Sequence, residues 1–150
     1  MKKLAGIGVM LTLSIILSGA ALSQPRNDVW GSKGEYCRLY DPRTAQTVEG
    51  EVVEVRNFTP PTKGASGVRF TLKTNRGPIE VILGPSWYVA TQNFVIAPHD
   101  QVTVTGSRVA VEGKATIIAS EVSKGGRTWK LRHNDGLPVW SPQSGLQETG

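Results

Sequence analysis

Cysteine and histidine are scarce in this chain, and neither sign of charge dominates. Of 150 residues, one is Cys and two are His. The lone thiol, Cys37, leaves no internal disulfide to staple a fold, and without a CxxCH pair covalent haem attachment of that type is excluded. No Cys/His cluster has metal-ligand spacing, and HExxH, a phosphate loop and a nucleophile elbow are all missing. Long apolar runs are missing too, apart from one at the start. These absences remove the usual parts of an enzyme, so a catalytic role, a metal and a cofactor are not expected.

The exception is the N-terminus. Lys2 and Lys3 precede an uncharged stretch from Leu4 to Leu22, and Ala21 and Ser23 occupy the −3 and −1 positions of a cut before Gln24. Basic start, apolar core and small-residue site together read as a secretory signal peptide over residues 1–23. The alternative is a retained anchor, since about 20 apolar residues can span a bilayer. Gly and Ser dilute the stretch and a cleavage site follows it, which favours removal. No Cys sits at the cut to carry a lipid. Of 17 basic side chains Lys2 and Lys3 leave with the peptide, so 15 face 12 acidic ones in the mature chain. A net charge of +3 attracts polyanions weakly. The expected location is periplasmic or secreted, with no transmembrane segment in the mature chain.

Residues 24–43 are polar and rich in Gly, Pro and Arg, and read as a leader pinned through Trp30, Tyr36 and Tyr40. From Thr44 the texture changes to short β-branched runs punctuated by Gly, Pro and Asn, an all-β signature. In TVEGEVVEV the apolar phase slips by one residue between Val52 and Val53, which a β-bulge accommodates. VRFTLKT and PIEVILG alternate around a turn at Asn75–Gly77 and form a hairpin. They place Phe70, Leu72, Ile79, Val81 and Leu83 inward and Arg69, Thr71, Lys73, Glu80 and Ile82 outward. PSWYVATQNF interrupts the pattern as a short helix, with Pro85 opening it and Trp87, Ala90, Thr91 and Phe94 on one face. QVTVTGSRVAV carries a second phase slip near Gly106, ATIIASEV follows a turn at Glu112–Lys114, and TWKLR is a possible sixth strand. Residues 134–150 read as a loosely attached tail, held at most by Trp140.

Three strands, a helix and two strands is the element order of an OB-fold-like, five-stranded Greek-key barrel. Residues 44–133 are assigned to it. An SH3-like barrel is the rival, but it gives no reason for a helix between the third and fourth strands.

At LGPSWY (83–88), VTVTGSRV (102–109), IIASEV (117–122) and LRHNDGLPVW (131–140), the chain resembles a family of small exported bacterial OB-fold-like proteins, often labelled DNA-binding. The likeness runs from about Asp41 to Ser141. It implies a fold and an exported location, and no catalytic residue comes with it.

His99 and His133 fall in turns and read as solvated loop residues. Glu49, Glu51 and Glu54 read as a charged outer face rather than a catalytic pair. Single-stranded DNA or RNA is the tempting ligand, because OB barrels often bind it across strands 2 and 3. Arg69 and Lys73 could meet phosphates there, as could Arg108 elsewhere. Stacking aromatics, however, are not expected on that face, and a cross-strand charge lattice explains its residues as well. The preferred reading is an exported non-enzymatic module that binds a protein or other envelope component, with nucleic acid as the alternative. Candidate ligand-binding residues are Arg69, Lys73, Trp87, Tyr88 and Arg108. Trp87 and Tyr88 alternatively cap the barrel's open end, and Cys37 is a possible intermolecular thiol.

Overall fold

The computed structural model describes residues 29–141; the proposed signal peptide lies outside them. The elements are α1 (Glu35–Leu39), a 3-10 turn (Pro42–Thr44), β1 (Ala45–Phe58), β2 (Gly67–Thr74), β3 (Gly77–Pro85), α2 (Ser86–Ala90), β4 (Gln101–Val111), β5 (Lys114–Lys124) and β6 (Arg127–Lys130). The strands run in the order β3-β2-β1-β4-β5-β6, and a further pairing of β3 with β5 closes the ring. Neighbours are antiparallel except at that closure, where Glu80–Ile82 runs parallel to Thr116–Ile118. This is the expected barrel, with the helix between β3 and β4 and the sixth strand present.

Closure depends on strands that change partners along their length. β1 pairs with β4 over Ala45–Glu51 and with β2 over Glu51–Phe58, with a register shift between Val52 and Glu54. The extra residue, Val53, turns outward and is 49% exposed. A second shift, opposite Thr105 and Gly106, leaves Ser120 as the extra residue of β5 and bends that strand. The first phase slip in the sequence is therefore a bulge, which bends a strand and increases its local twist. The slip expected near Gly106 is corrected, because β4 keeps its alternation and Val109 and Val111 simply lie on the outside of the barrel. β5 divides its outer edge in the same way, giving Thr116–Ile118 to β3 and Glu121–Lys124 to β6.

Inside, Phe70, Leu72, Val81, Val102, Val104 and Ile117 are buried in one cluster with Val52, Leu83, Val122 and Leu131. These are the positions that the period-2 alternation turns to one side. Val89 of α2 and half-buried Phe94 and Ile96 close one end.

A second buried cluster lies on the outside of the barrel. Val29, Trp30, Tyr36 and Tyr40 pack with Ile82, Val111 and Ile118. The outward placement expected for Ile82 is thus corrected: its side chain does leave the barrel interior, but the preceding segment covers it and its exposure falls to zero. Trp30 anchors this layer, with its ring 4.7 Å from Tyr36 and 6.0 Å from Phe58 and its Nε1 donating to the Ala65 carbonyl at 2.7 Å. Gly67 lies beneath it, where a Cβ would overlap the indole. From the other end of the chain Trp140 donates to the Trp30 carbonyl at 2.9 Å. Residues before β1 and after β6 therefore meet over one face.

Two outcomes test this architecture. Leu72→Ala should cost about 2–5 kcal/mol in chemical denaturation, through lost burial and a residual cavity. The second concerns pH. Burial, then the charges of Glu35 and Glu112, push the Tyr36 phenol up to about 12 from the ordinary 10. A group raised on folding stabilises fully below its unfolded value and loses that contribution as pH rises through the folded one. Arg132, pulled down on folding, acts in the opposite sense over an overlapping alkaline range. The difference between variants isolates Tyr36: the stability of Tyr36→Phe relative to wild type should rise between about pH 10 and 12 and stay level below.

Candidate binding groove

Where β1 changes partners, the barrel wall splits. Among the described residues, Ala45–Gly50 pair with β4 alone, which leaves their other backbone edge facing the tip of the β2–β3 hairpin. Gly50 marks the point of divergence, since a Cβ there would overlap the Lys73 carbonyl. Thr74 fixes the tip, its Oγ1 donating to the Gly77 carbonyl at 2.7 Å and accepting from the Arg76 amide at 3.0 Å. Gly77 takes φ 107°, a value that favours glycine.

The result is an open cleft of about 840 Å³. Val48 and Ile79 supply its apolar surface, Gln46, Thr47 and Thr74 its polar surface, and Glu49, Arg76 and Arg108 its charge. One carboxylate against two guanidiniums is a mild bias, and no aromatic residue lines the cleft. Its chemistry is that of a polar backbone edge beside a small apolar floor, which suits an extended chain adding alongside β1.

The hairpin's outer face is different. Glu80 stands at its centre, 2.9 Å from Arg56, 3.8 Å from Arg69 and accepting from the Thr71 hydroxyl at 2.6 Å. Arg56 also reaches Glu54 at 3.5 Å. Arg69 lies over the Phe58 ring at 4.7 Å. One carboxylate thus engages two guanidiniums, a cross-strand lattice of opposite charges.

The candidate residues do not converge. Arg69 is held in this lattice, Lys73 is exposed further along β2, and Arg108 lies in the cleft. Trp87 and Tyr88 sit apart on α2. The expectation that both cap the barrel is corrected for Trp87, while Tyr88 does pack against the core. The five-residue helix turns Val89 inward and leaves Trp87 55% exposed. Tyr88 is half-buried against Trp140, with ring centroids 5.2 Å apart. Trp129 stacks on Phe94 at 4.4 Å beneath Arg127 at the barrel's edge.

His99, with φ 78°, is exposed in its turn, and its Nδ1 lies 3.1 Å from Glu51. Its neighbour Asp100 accepts from Lys124 at 2.8 Å and from the Ala97 amide, contacts that hold its carboxyl below the ordinary range. Among the described residues no group of three His, Cys, Asp or Glu could hold a metal ion, and no helix is long and apolar enough to cross a membrane.

Two residues matter more than their sequence context indicates. Glu80 alternates outward like any surface residue, and its role arises only when β1 brings Arg56 across the sheet. Nothing in the sequence sets Arg132 apart from the other basic residues, yet it is 1% exposed.

The aromatic assignments can be tested directly. Trp87→Ala should change stability by no more than about 0.5 kcal/mol, as expected for an exposed side chain. Trp30→Ala should remove about 3–5 kcal/mol. Thermal or chemical unfolding of the two variants checks both.

A family model described as the MamS/MamX magnetosome protein family matches residues 44–129, more than half of the chain. The match supports a small bacterial family; it carries no DNA-binding label. No curated protein matches the chain. Among solved structures, one described as the ZRD-deleted mutant of TiaS in complex with agmatine aligns at 15% identity with a TM-score of 0.42. That alignment covers 57% of this chain and about a quarter of the other.

Proposed function

This chain belongs to the MamS/MamX magnetosome protein family, and on that premise we propose that it is an exported, non-enzymatic binding module whose partner is a protein of the envelope or of the magnetosome. The observation that carries this reading is the cleft beside β1. It offers a row of backbone groups over Ala45–Gly50, a floor of Val48 and Ile79, and charges of both signs at its rim. Such a surface takes an extended segment by strand addition, with main-chain hydrogen bonds giving affinity and side-chain pockets giving selectivity. Export rests on the N-terminal pattern of Lys2, Lys3, the uncharged core and the Ala21/Ser23 site.

Single-stranded nucleic acid is the rival. A groove for it combines positive charge along the backbone with aromatic stacking. Here Glu80 offsets Arg56 and Arg69, and the cleft has no ring in its lining. Both points support the protein reading.

Titrating a labelled single-stranded oligonucleotide at two salt concentrations separates the two readings, with Arg69→Ala/Lys73→Ala beside wild type. Weak binding that ignores both residues is expected. Micromolar or tighter binding at physiological salt, abolished by the double change and falling steeply with salt because binding releases counterions, would replace the protein reading. In parallel, Arg108→Glu should reduce recovery of the partner that co-purifies with the tagged mature chain by about tenfold, with the unfolding midpoint unchanged.

A further inference from the structure

Arg132 is a buried cation without a counter-charge. Its side chain is 1% exposed. Nη1 donates to the Gly136 carbonyl at 2.8 Å, while Nε and Nη2 reach no hydrogen-bond partner. Tyr40 and Trp140 lie 5.9 and 5.2 Å from the guanidinium carbon, and their π faces offer only modest attraction. Among the described residues, none of the ion pairs includes Arg132. Burial pulls the guanidinium down to about 10, with Cys37 and Tyr40 acting the other way. Leaving a buried charge unpaired is costly, and orphaned N–H donors add to that cost.

The neighbour able to relieve it is a thiol. Cys37, half-buried on α1, donates to the same Gly136 carbonyl at 3.7 Å. Thiol and guanidinium thus converge on one oxygen. As a thiolate, the sulfur would release that carbonyl and accept from the guanidinium that converges on it. It would also bring the negative charge the site lacks. The other titratable groups on the segments that meet here, Glu35 apart, are engaged or open to solvent; the Glu35 Oε1 is buried without a hydrogen-bond partner. Arg38 donates to the Lys33 carbonyl, Asp135 accepts from the Leu137 amide, His133 is exposed, and Glu35 is half-buried on α1.

We propose that Cys37, paired with the buried Arg132, is an activated thiol that exchanges with small disulfides. The Cys37 proton passes to solvent, and the thiolate attacks one sulfur of the incoming disulfide. A new S–S bond forms as the original one breaks, and the departing half leaves as a thiolate that takes up a proton. One disulfide replaces another, so no outside oxidant is required. The half-buried position, on a five-residue helix beside the Gly136 turn, admits a slender aliphatic disulfide better than a folded domain. Arg132 is the positioning residue. This site is separate from the cleft beside β1 and does not depend on the protein-binding reading.

The test uses the full mature chain, reduced, with oxidised glutathione as probe and intact mass as readout. At neutral pH the folded chain should gain one glutathionyl group about tenfold faster than the same chain in denaturant, because thiolate is the attacking form and an adjacent cation favours it. Arg132→Met should lose that acceleration together with the ultraviolet thiolate absorbance. Arg132→Lys, which keeps the charge, should recover most of both. Circular dichroism on each variant separates loss of charge from loss of fold, and the wild-type comparison stands even if a variant unfolds. A folded wild type that reacts no faster than the denatured chain would overturn the proposal. So would a folded Arg132→Met that reacts as fast as wild type.

Discussion

The bulge between Val52 and Glu54 is the constraint on which the other features depend. A straight fourteen-residue β1 would present one face and one pair of neighbours throughout. With one extra residue the strand bends, and its two halves serve different sides of the barrel. The bend lets β3 and β5 meet and close the ring, which leaves the small interior to be filled by alternating side chains from five strands. It also separates the first half of β1 from the β2–β3 tip, and that separation is the cleft. The same deformation that completes the core therefore creates the opening proposed to bind.

A second layer narrows what the barrel can offer to a partner. The segment before β1 and the turn after β6 meet over the outer face of β3, β4 and β5, linked by the hydrogen bond from Trp140 to the Trp30 carbonyl. Ile82, Ile118 and Val111 would otherwise be an exposed apolar patch. Covering them stabilises the fold and removes that face from contention. Covering them also carries Arg132 inward, beneath Tyr40 and Trp140. The buried cation is thus a by-product of sealing the sheet, and the thiol beside it acquires its chemistry from that burial.

Charge on the remaining hairpin face is organised rather than accumulated. Glu80 holds Arg56 and Arg69 in place, and Arg69 leans on Phe58. Such a lattice keeps an exposed sheet soluble and discourages edge-to-edge pairing. It also lowers the positive potential that a phosphate backbone would seek. The proposed preference for a protein partner follows from that balance and from the absence of rings along the cleft.

Alternation along the chain was enough to determine the barrel. Period-2 patterning assigned Phe70, Leu72, Val81, Val102, Val104 and Ile117 to one core, and the slip at Val52–Val53 located the β1 bulge, because a one-residue shift in a strand reverses every side chain after it. The slip near Gly106 instead marked Val109 and Val111, which face the covered outer side of β4. Turn residues supplied the connections, since Glu112–Gly113 and Gly125–Gly126 adopt the positive φ values that tight hairpins require. What alternation could not show was how residues distant in sequence would cover one another. Ile82 reads as outward, and only the layer of Val29, Trp30, Tyr36 and Tyr40, more than forty positions earlier, makes it core. Trp87 was misplaced and the burial of Arg132 missed for the same reason: whether a large or charged side chain meets solvent depends on segments that no local pattern brings together. The cleft, the Glu80 lattice and the Cys37–Arg132 pair all belong to this second class. Tertiary packing alone decided them, because each is a meeting of groups from separate elements whose positions are fixed only once β1 has bent and the ring has closed.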